Sequence, residues 1–359
     1  MSATKGQDPN RPLSGLAIID KMRSRQPGMN KTLMLITPWL HEQAIDLHYI
    51  PVISIFPLLR GLARITLKEK QYKFDFVLFN ALASLTSPWA SLIARFCMLF
   101  GIPLFVYWHE MSLIFEEISQ RSPASIKRAD RIASDPRVHH LVVSQASKEA
   151  IQQKYETASK AKVIYNAASI PVPFDHPVSP LTDRPLVLNI ASIQFKKGTD
   201  LFVKTALEVC KRHDTVEFMW LGAGKHYGDY LDEIRTEGFE NRILFPGYVD
   251  ASFTLLRRAA VFFLSSREDS FPLANLEAMC LARRIVCFDV GGGPEALGGT
   301  GILIEPFDTA AAAEAILTVL RRPEKDWLNM QARERYLGMF TPSKHAERLS
   351  AAIREIVNP

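Results

Sequence analysis

An α/β protein of two doubly wound parallel-sheet domains is what this sequence predicts, and three observations predict it. Short apolar runs recur along the chain and alternate with stretches of helical periodicity, the pattern of parallel strands joined by crossover helices. A proline-rich segment breaks that pattern near the middle, at 170–185 (IPVPFDHPVSPLTDRP), where missing amide donors resist both helix and sheet. The 359 residues exceed one ordinary domain, and 47% hydrophobic with 23% charged residues suits a well-packed globular chain.

Residues 1–30 are polar and rich in Gly and Pro, with one short apolar stretch (LAIIDKM), and read as a leader. Strands are expected at 32–36 (TLMLI), 74–79 (FDFVLF), 103–108 (PLFVYW), 140–144 (HLVVS) and 162–165 (KVIY), with helical periodicity at 91–100 and 147–157. These make a first domain over 31–169, followed by the linker 170–185. Beyond it, strands are expected at 186–191 (LVLNIA), 217–221 (EFMWL), 243–245, 261–265 (VFFLS) and 285–289 (IVCFD), giving a second domain over 186–340. Residues 309–356 read as closing helices, and 341–359 as a C-terminal helix that is a candidate to cross back to the first domain. No internal repeat at solenoid spacing is present.

Composition narrows the function classes. Cys97, Cys210, Cys280 and Cys287 are scattered inside apolar segments without CxxC spacing, so they read as small hydrophobes in a reducing cytoplasm. No run reaches the roughly 18 apolar residues of a membrane span, and the first residues hold no signal-peptide core. The net charge of +5 is small and dispersed, without a recognition-helix motif, which argues against a nucleic-acid partner. No His/Asp cluster has metal-ligand spacing, so no metal and no cofactor is expected. Residues 56–73 (FPLLRGLARITLKEKQYK) can form a basic amphipathic helix; it fits either packing on the sheet or peripheral contact with an anionic membrane.

The chemistry concentrates at 265–279 (SSREDSFPLANLEAM). This stretch leaves the carboxyl end of an expected strand, turns through Ser270 and Pro272, and enters a helix near Leu273. Open α/β sheets place ligands outside the carboxyl ends of their strands, and a helix entrance there offers unpaired amides. Asp269 lies in the turn and Glu277 follows from the helix, so two carboxylates face one ligand at different depths; a carboxylate accepts from both hydroxyls of a sugar diol. A second cluster, 189–201 (NIASIQFKKGTDL), brings Lys196 and Lys197 to a turn at Gly198, where a cation meets a diphosphate.

The first stretch resembles the Glu-x7-Glu signature of retaining family 4 glycosyltransferases (glycosyl transferases group 1), which have the GT-B fold of two Rossmann-like doubly wound domains facing a central cleft. The resemblance implies that Asp269 touches the donor sugar, with Glu268 as the alternative, that Ser270, Phe271, Pro272 and Leu273 line the sugar site, and that Glu277 holds the nucleotide ribose. The second cluster is similar to the family's Gly-Arg-Leu…Lys-Gly-x-Asp stretch: Lys197, Gly198 and Asp200 match, while Ala191 and Ser192 stand where Gly and Arg are usual. Residues 221–224 (LGAG, with Gly222 and Gly224), 245–249 (FPGYV, with Tyr248 and Val249) and 291–295 (GGGPE) resemble further loops of the nucleotide half, in the same order. In the first half, His109 of YWHE resembles the family's first-domain histidine.

The family's Gly-Gly loop after the first strand has no counterpart at 36–46 (ITPWLHEQAID), where His41 or Glu42 is available to line the same space. The resemblance implies transfer of a hexosyl group from a nucleotide diphosphate sugar to a glycan, lipid-linked or small-molecule acceptor, with retention. His109, Lys197, Asp269 and Glu277 are its candidate catalytic residues. Two alternatives stay open: a non-catalytic nucleotide-sugar-binding or scaffold relative, and a nucleotide-sugar epimerase.

Overall fold

The computed structural model describes residues 11–19, 28–51, 74–170, 184–224, 228–323 and 327–358. The chain divides into two compact units, Met1–Ala167 with Pro342–Pro359, and Ala168–Thr341.

The first unit holds a parallel six-stranded sheet in the order β2-β1-β3-β4-β5-β6, formed by β1 (Leu13–Ile19), β2 (Ile45–Pro51), β3 (Phe76–Asn80), β4 (Leu104–Trp108), β5 (Val138–Val142) and β6 (Lys162–Val163). β3 and β4 are buried at every position, as parallel strands covered on both faces require, which is why they read as unbroken apolar runs. Ile93, Ala94 and Cys97 of the helix Ala90–Phe100 and Ala129 and Ile132 of Pro123–Ala133 pack into the same core. The C-terminal helix Pro342–Val357 belongs to this unit and buries His345, Leu349 and Ile353.

Two expectations for the amino-terminal region are corrected. Residues 13–19 are not a leader but β1, an interior strand between β2 and β3. Gly15 stands opposite Phe76 in the sheet, and a Cβ there would lie 2.1 Å from the Phe76 ring; the glycine makes room for the aromatic. Residues 32–36 are not a strand, because the helix Gly28–Leu35 covers most of them. A short apolar run does not distinguish a buried strand from a helix by its pattern alone. The stretch 36–46 therefore does not follow the first strand: it forms the helix Thr37–Glu42 and leads into β2, where His41 is 76% exposed and pairs with Asp46 at 2.6 Å. The basic segment 56–73 lies outside the described residues, as does 171–183 of the proline-rich stretch.

The second unit holds a parallel six-stranded sheet in the order β12-β11-β10-β7-β8-β9, from β7 (Leu186–Ile190), β8 (Glu217–Leu221), β9 (Ile243–Gly247), β10 (Val261–Leu264), β11 (Arg284–Phe288) and β12 (Ile302–Ile304). Its core is aromatic: Phe202 of the helix Thr199–Cys210 packs edge-on against Phe218 and Trp220 and stacks on Phe263 at 6.0 Å. Counted in chain order, this is the 3-2-1-4-5-6 arrangement of dinucleotide-binding sheets, with the order reversing between β7 and β10. Loops leaving those two strands diverge there and open a crevice. Those loops are the two clusters singled out in the sequence.

Candidate functional site

After β7 the chain runs through residues 191–194, makes one 3-10 turn at Phe195–Lys197, and enters the helix Thr199–Cys210 at Gly198. After β10 it runs through 265–271 and enters the helix Leu273–Cys280, with Pro272 as its N-cap. Gly198 has a φ of +66°, and a Cβ on it would lie 1.9 Å from the Ser265 carbonyl oxygen. Only glycine fits both the left-handed backbone and the close approach. Ser265 Oγ in turn donates to the Lys197 carbonyl at 3.2 Å.

This packing brings Lys197 Nζ to Asp269 Oδ2 at 2.5 Å, with the two side chains 21% and 14% exposed. Of the two acids the sequence offered, Asp269 is the one that pairs with Lys197. The amide of Glu268 donates to the Lys196 carbonyl at 3.3 Å. Lys196 is half-buried in the same turn. The third wall is the glycine loop after β11: the amide of Gly292 donates to the Asp269 carbonyl at 2.9 Å. A Cβ on Gly291 would meet that same carbonyl at 2.2 Å, and one on Gly292 would meet the Ser270 carbonyl at 2.0 Å.

Further expected residues lie on the loops after β8 and β9 and on the helix that follows β10. Gly222 donates its amide to Gly247 O at 2.8 Å, and Gly224 pairs with Ile193 in a parallel bridge, so the loops after β8 and β9 line up beside that after β7. Tyr248 is 52% exposed, and Val249 is half-buried. Phe271 turns its ring away, packing edge-on against Phe340 at 5.5 Å, so it offers the site main chain rather than side chain. Ser270 and Leu273 are half-buried at the helix entrance, and Glu277 is half-buried one turn further in. Tyr336 near it is raised by burial, with Cys280 and Glu277 adding to the effect.

His109 lies in the first unit, just beyond β4. Its Nε2 is 3.1 Å from Asn80 Oδ1 at the end of β3, and its ring packs on Tyr107 at 4.4 Å. The His109 amide donates to Glu110 Oε2 at 3.0 Å, while Glu110 Oε1 accepts from the Leu82 amide at 2.9 Å. Glu110 thus clips the loop after β3 to the loop after β4. Burial depresses His109 to about 3, so the imidazole is neutral near pH 7.

Sequence reasoning passed over Asn80, Glu110 and Arg267. The first two stand beside expected residues, but only sheet register shows which loops they join. Arg267 was hidden among the many surface-type charges. It forms a forked pair with Asp200, at 2.7 and 2.6 Å.

A doubly wound unit with a lysine–carboxylate pair at its switch point, walled by glycine loops, presents its polar groups where open α/β sheets bind their ligands. Residues 184–322 match the family model "Glycosyl transferases group 1". Among its relatives, an alpha-D-kanosaminyltransferase of Streptomyces kanamyceticus is 28% identical over 49% of this chain and 47% of its own length. A lipopolysaccharide core biosynthesis mannosyltransferase of Rhizobium leguminosarum is 27% identical over 57% and 56%. The chain spans about half the length of the curated relatives it matches. Across nearly the whole chain it superposes on a sucrose-phosphate synthase from Thermosynechococcus elongatus (TM-score 0.74, 18% identity, 96% of this chain and 99% of that one). It also superposes on Anabaena HepE, solved with UDP and glucose (TM-score 0.70, 20% identity, 94% and 98%). At these identities the likeness speaks for the fold, which is GT-B.

Proposed function

We propose that this protein is a retaining glycosyltransferase that moves a hexosyl group from a nucleoside diphosphate sugar to an acceptor hydroxyl of a glycan, a lipid-linked glycan or a small molecule. The observation that carries the reading is the meeting of Lys197 and Asp269 at the switch point of the second unit. A cation there suits a diphosphate and a carboxylate suits sugar hydroxyls. The relatives named as kanosaminyl- and mannosyltransferases support a hexosyl donor.

In this proposal the bond between the anomeric carbon and the phosphate oxygen breaks, and the acceptor oxygen bonds to the same face of the carbon. The acceptor proton passes to the departing phosphate oxygen, so no protein nucleophile is needed. Lys197, with Lys196 beside it, and the amides at the entrance of Thr199–Cys210 stabilise the charge on the leaving diphosphate. Asp269 holds donor-sugar hydroxyls, Glu277 the ribose, and Tyr248 and Val249 stand by the base. His109, buried and neutral, is suited to hydrogen bonding rather than to proton donation. The nucleoside diphosphate sugar is a substrate, and the reaction is proposed to need neither metal nor cofactor.

The test is incubation of the purified protein with UDP-, GDP- and ADP-hexoses, with and without acceptor glycans. Release of nucleoside diphosphate with an axial product from an axial donor supports the reading. An inverted anomer overturns retention, and loss of activity in chelator overturns metal independence. Tight nucleotide binding without turnover points to the scaffold alternative, and interconversion of the donor sugar to an epimerase. Among the described residues no helix is long and apolar enough to cross a membrane. The basic segment 56–73 supports a cytoplasmic protein resting peripherally on anionic membrane; flotation with anionic liposomes at low salt checks this, and failure to float ends it.

A further inference from the structure

The turn that carries Lys197 has little intrinsic stability, because three residues of 3-10 helix make few hydrogen bonds of their own. Its three carbonyls are instead held in succession from the loop after β10. Phe195 O accepts from Arg267 Nη1 at 3.0 Å. Lys196 O accepts from the Arg267 amide at 2.8 Å. Lys197 O accepts from Ser265 Oγ. Beyond Gly198, Asp200 in the first turn of the helix receives both prongs of the same guanidinium. The ring of Phe195 lies under it, 4.1 Å from the guanidinium carbon.

One side chain therefore grips the chain on both sides of Lys197. Phe195, 71% exposed, reads as a docking residue until the guanidinium on its face is seen. Burial alone raises the Asp200 carboxyl, but the hydrogen bonds and charge of Arg267, with two backbone amides, outweigh it and hold Asp200 below the usual carboxylate range. The Arg267 charge is thereby matched by Asp200 within the fold.

Resting on the reading of Lys197 as the cation of a diphosphate site, we propose that Arg267 is a positioning residue that sets Lys197 for the diphosphate through Phe195, Lys196 and Asp200. A lysine keeps the charge and much of the stem of Arg267 but cannot make the fork. In an active site, a misplacement of about 1 Å can cost roughly a hundredfold in rate.

The experiment measures binding of UDP, GDP and ADP, and of uridine, guanosine and adenosine, to the wild-type chain, R267K, R267A and D200N, alongside thermal melts and donor KM and kcat. For the diphosphate that the wild type binds, R267K and D200N are expected to weaken binding roughly ten- to hundredfold. The matching nucleoside should bind them as it binds the wild type, and donor KM should rise more than kcat falls. If R267A does not fold, R267K and D200N carry the test. Diphosphate binding by R267K at wild-type strength overturns the proposal. So does an equal loss for diphosphate and nucleoside, which is the mark of general destabilisation. A wild-type chain that binds none of the three diphosphates overturns the reading of the site itself.

Discussion

Lys197 and Asp269 neutralise one another across 2.5 Å in a partly buried crevice, and that pairing sets what substitution of either does. Lys197→Met removes the cation expected at the leaving diphosphate and should lower kcat/KM by roughly a hundred- to a thousandfold, the scale of losing one electrostatic stabiliser of a transition state; steady-state kinetics check it. Asp269→Asn should cost far more activity than Glu268→Gln, because the Asp269 carboxylate is the one facing Lys197, and equal losses would move the sugar contact to Glu268. His109 shows how burial decides chemistry: with its value near 3, it should give no inflection in a pH–rate profile above about pH 5, where an ordinary histidine at about 6.5 would. The residue types at Lys197, Gly198, Asp269 and Glu277 were legible from the sequence. The grip of Arg267 on Phe195 and Asp200 was not, because it spans residues more than sixty positions apart.

Strands announced themselves wherever both faces are buried. β3, β4, β7, β8, β10 and β11 all coincide with apolar runs visible in the sequence, because a covered parallel strand has no reason to alternate. β1 was hidden by its glycine and by polar neighbours on either side, and β12 is only three residues long. β1 nevertheless lies inside the first sheet, with Leu16 3% exposed. Leu16→Asp should destabilise that unit by roughly 3 kcal/mol or more, the cost of burying an unpaired charge or the proton that neutralises it. Urea denaturation followed by tryptophan fluorescence checks this, and an unchanged midpoint would place residues 13–19 outside the sheet.

Across the whole molecule, buried imidazoles gather in the first unit. His109 and His345 are depressed to about 3, both chiefly by burial, with His109 and Arg348 adding to the effect at His345. His140, stacked on Trp108 and accepting from its indole nitrogen at 2.9 Å, is lowered to about 4, again first by burial. The unfolded chain takes up protons at these histidines near 6.5, whereas the folded unit does not until the pH is far lower. Between those limits the unfolded state binds more protons, so stability falls as pH drops below about 6.5 and levels off only near the folded values. Melting followed by calorimetry from about pH 7.5 to 4 should show an acid-labile transition, and H345Q should reduce its pH dependence. A single transition insensitive to pH would contradict this origin.

By itself the sequence determined the alternation of strands and helices, the break near the middle, and the loops where charge and glycine meet, because these follow from local pattern and from short spacings along the chain. Tertiary structure alone decided that residues 13–19 are an interior strand and that Lys197 stands against Asp269 with Arg267 holding its turn. Those outcomes depend on strand order and register, which bring together segments dozens to hundreds of residues apart, and no local periodicity encodes which of them will meet.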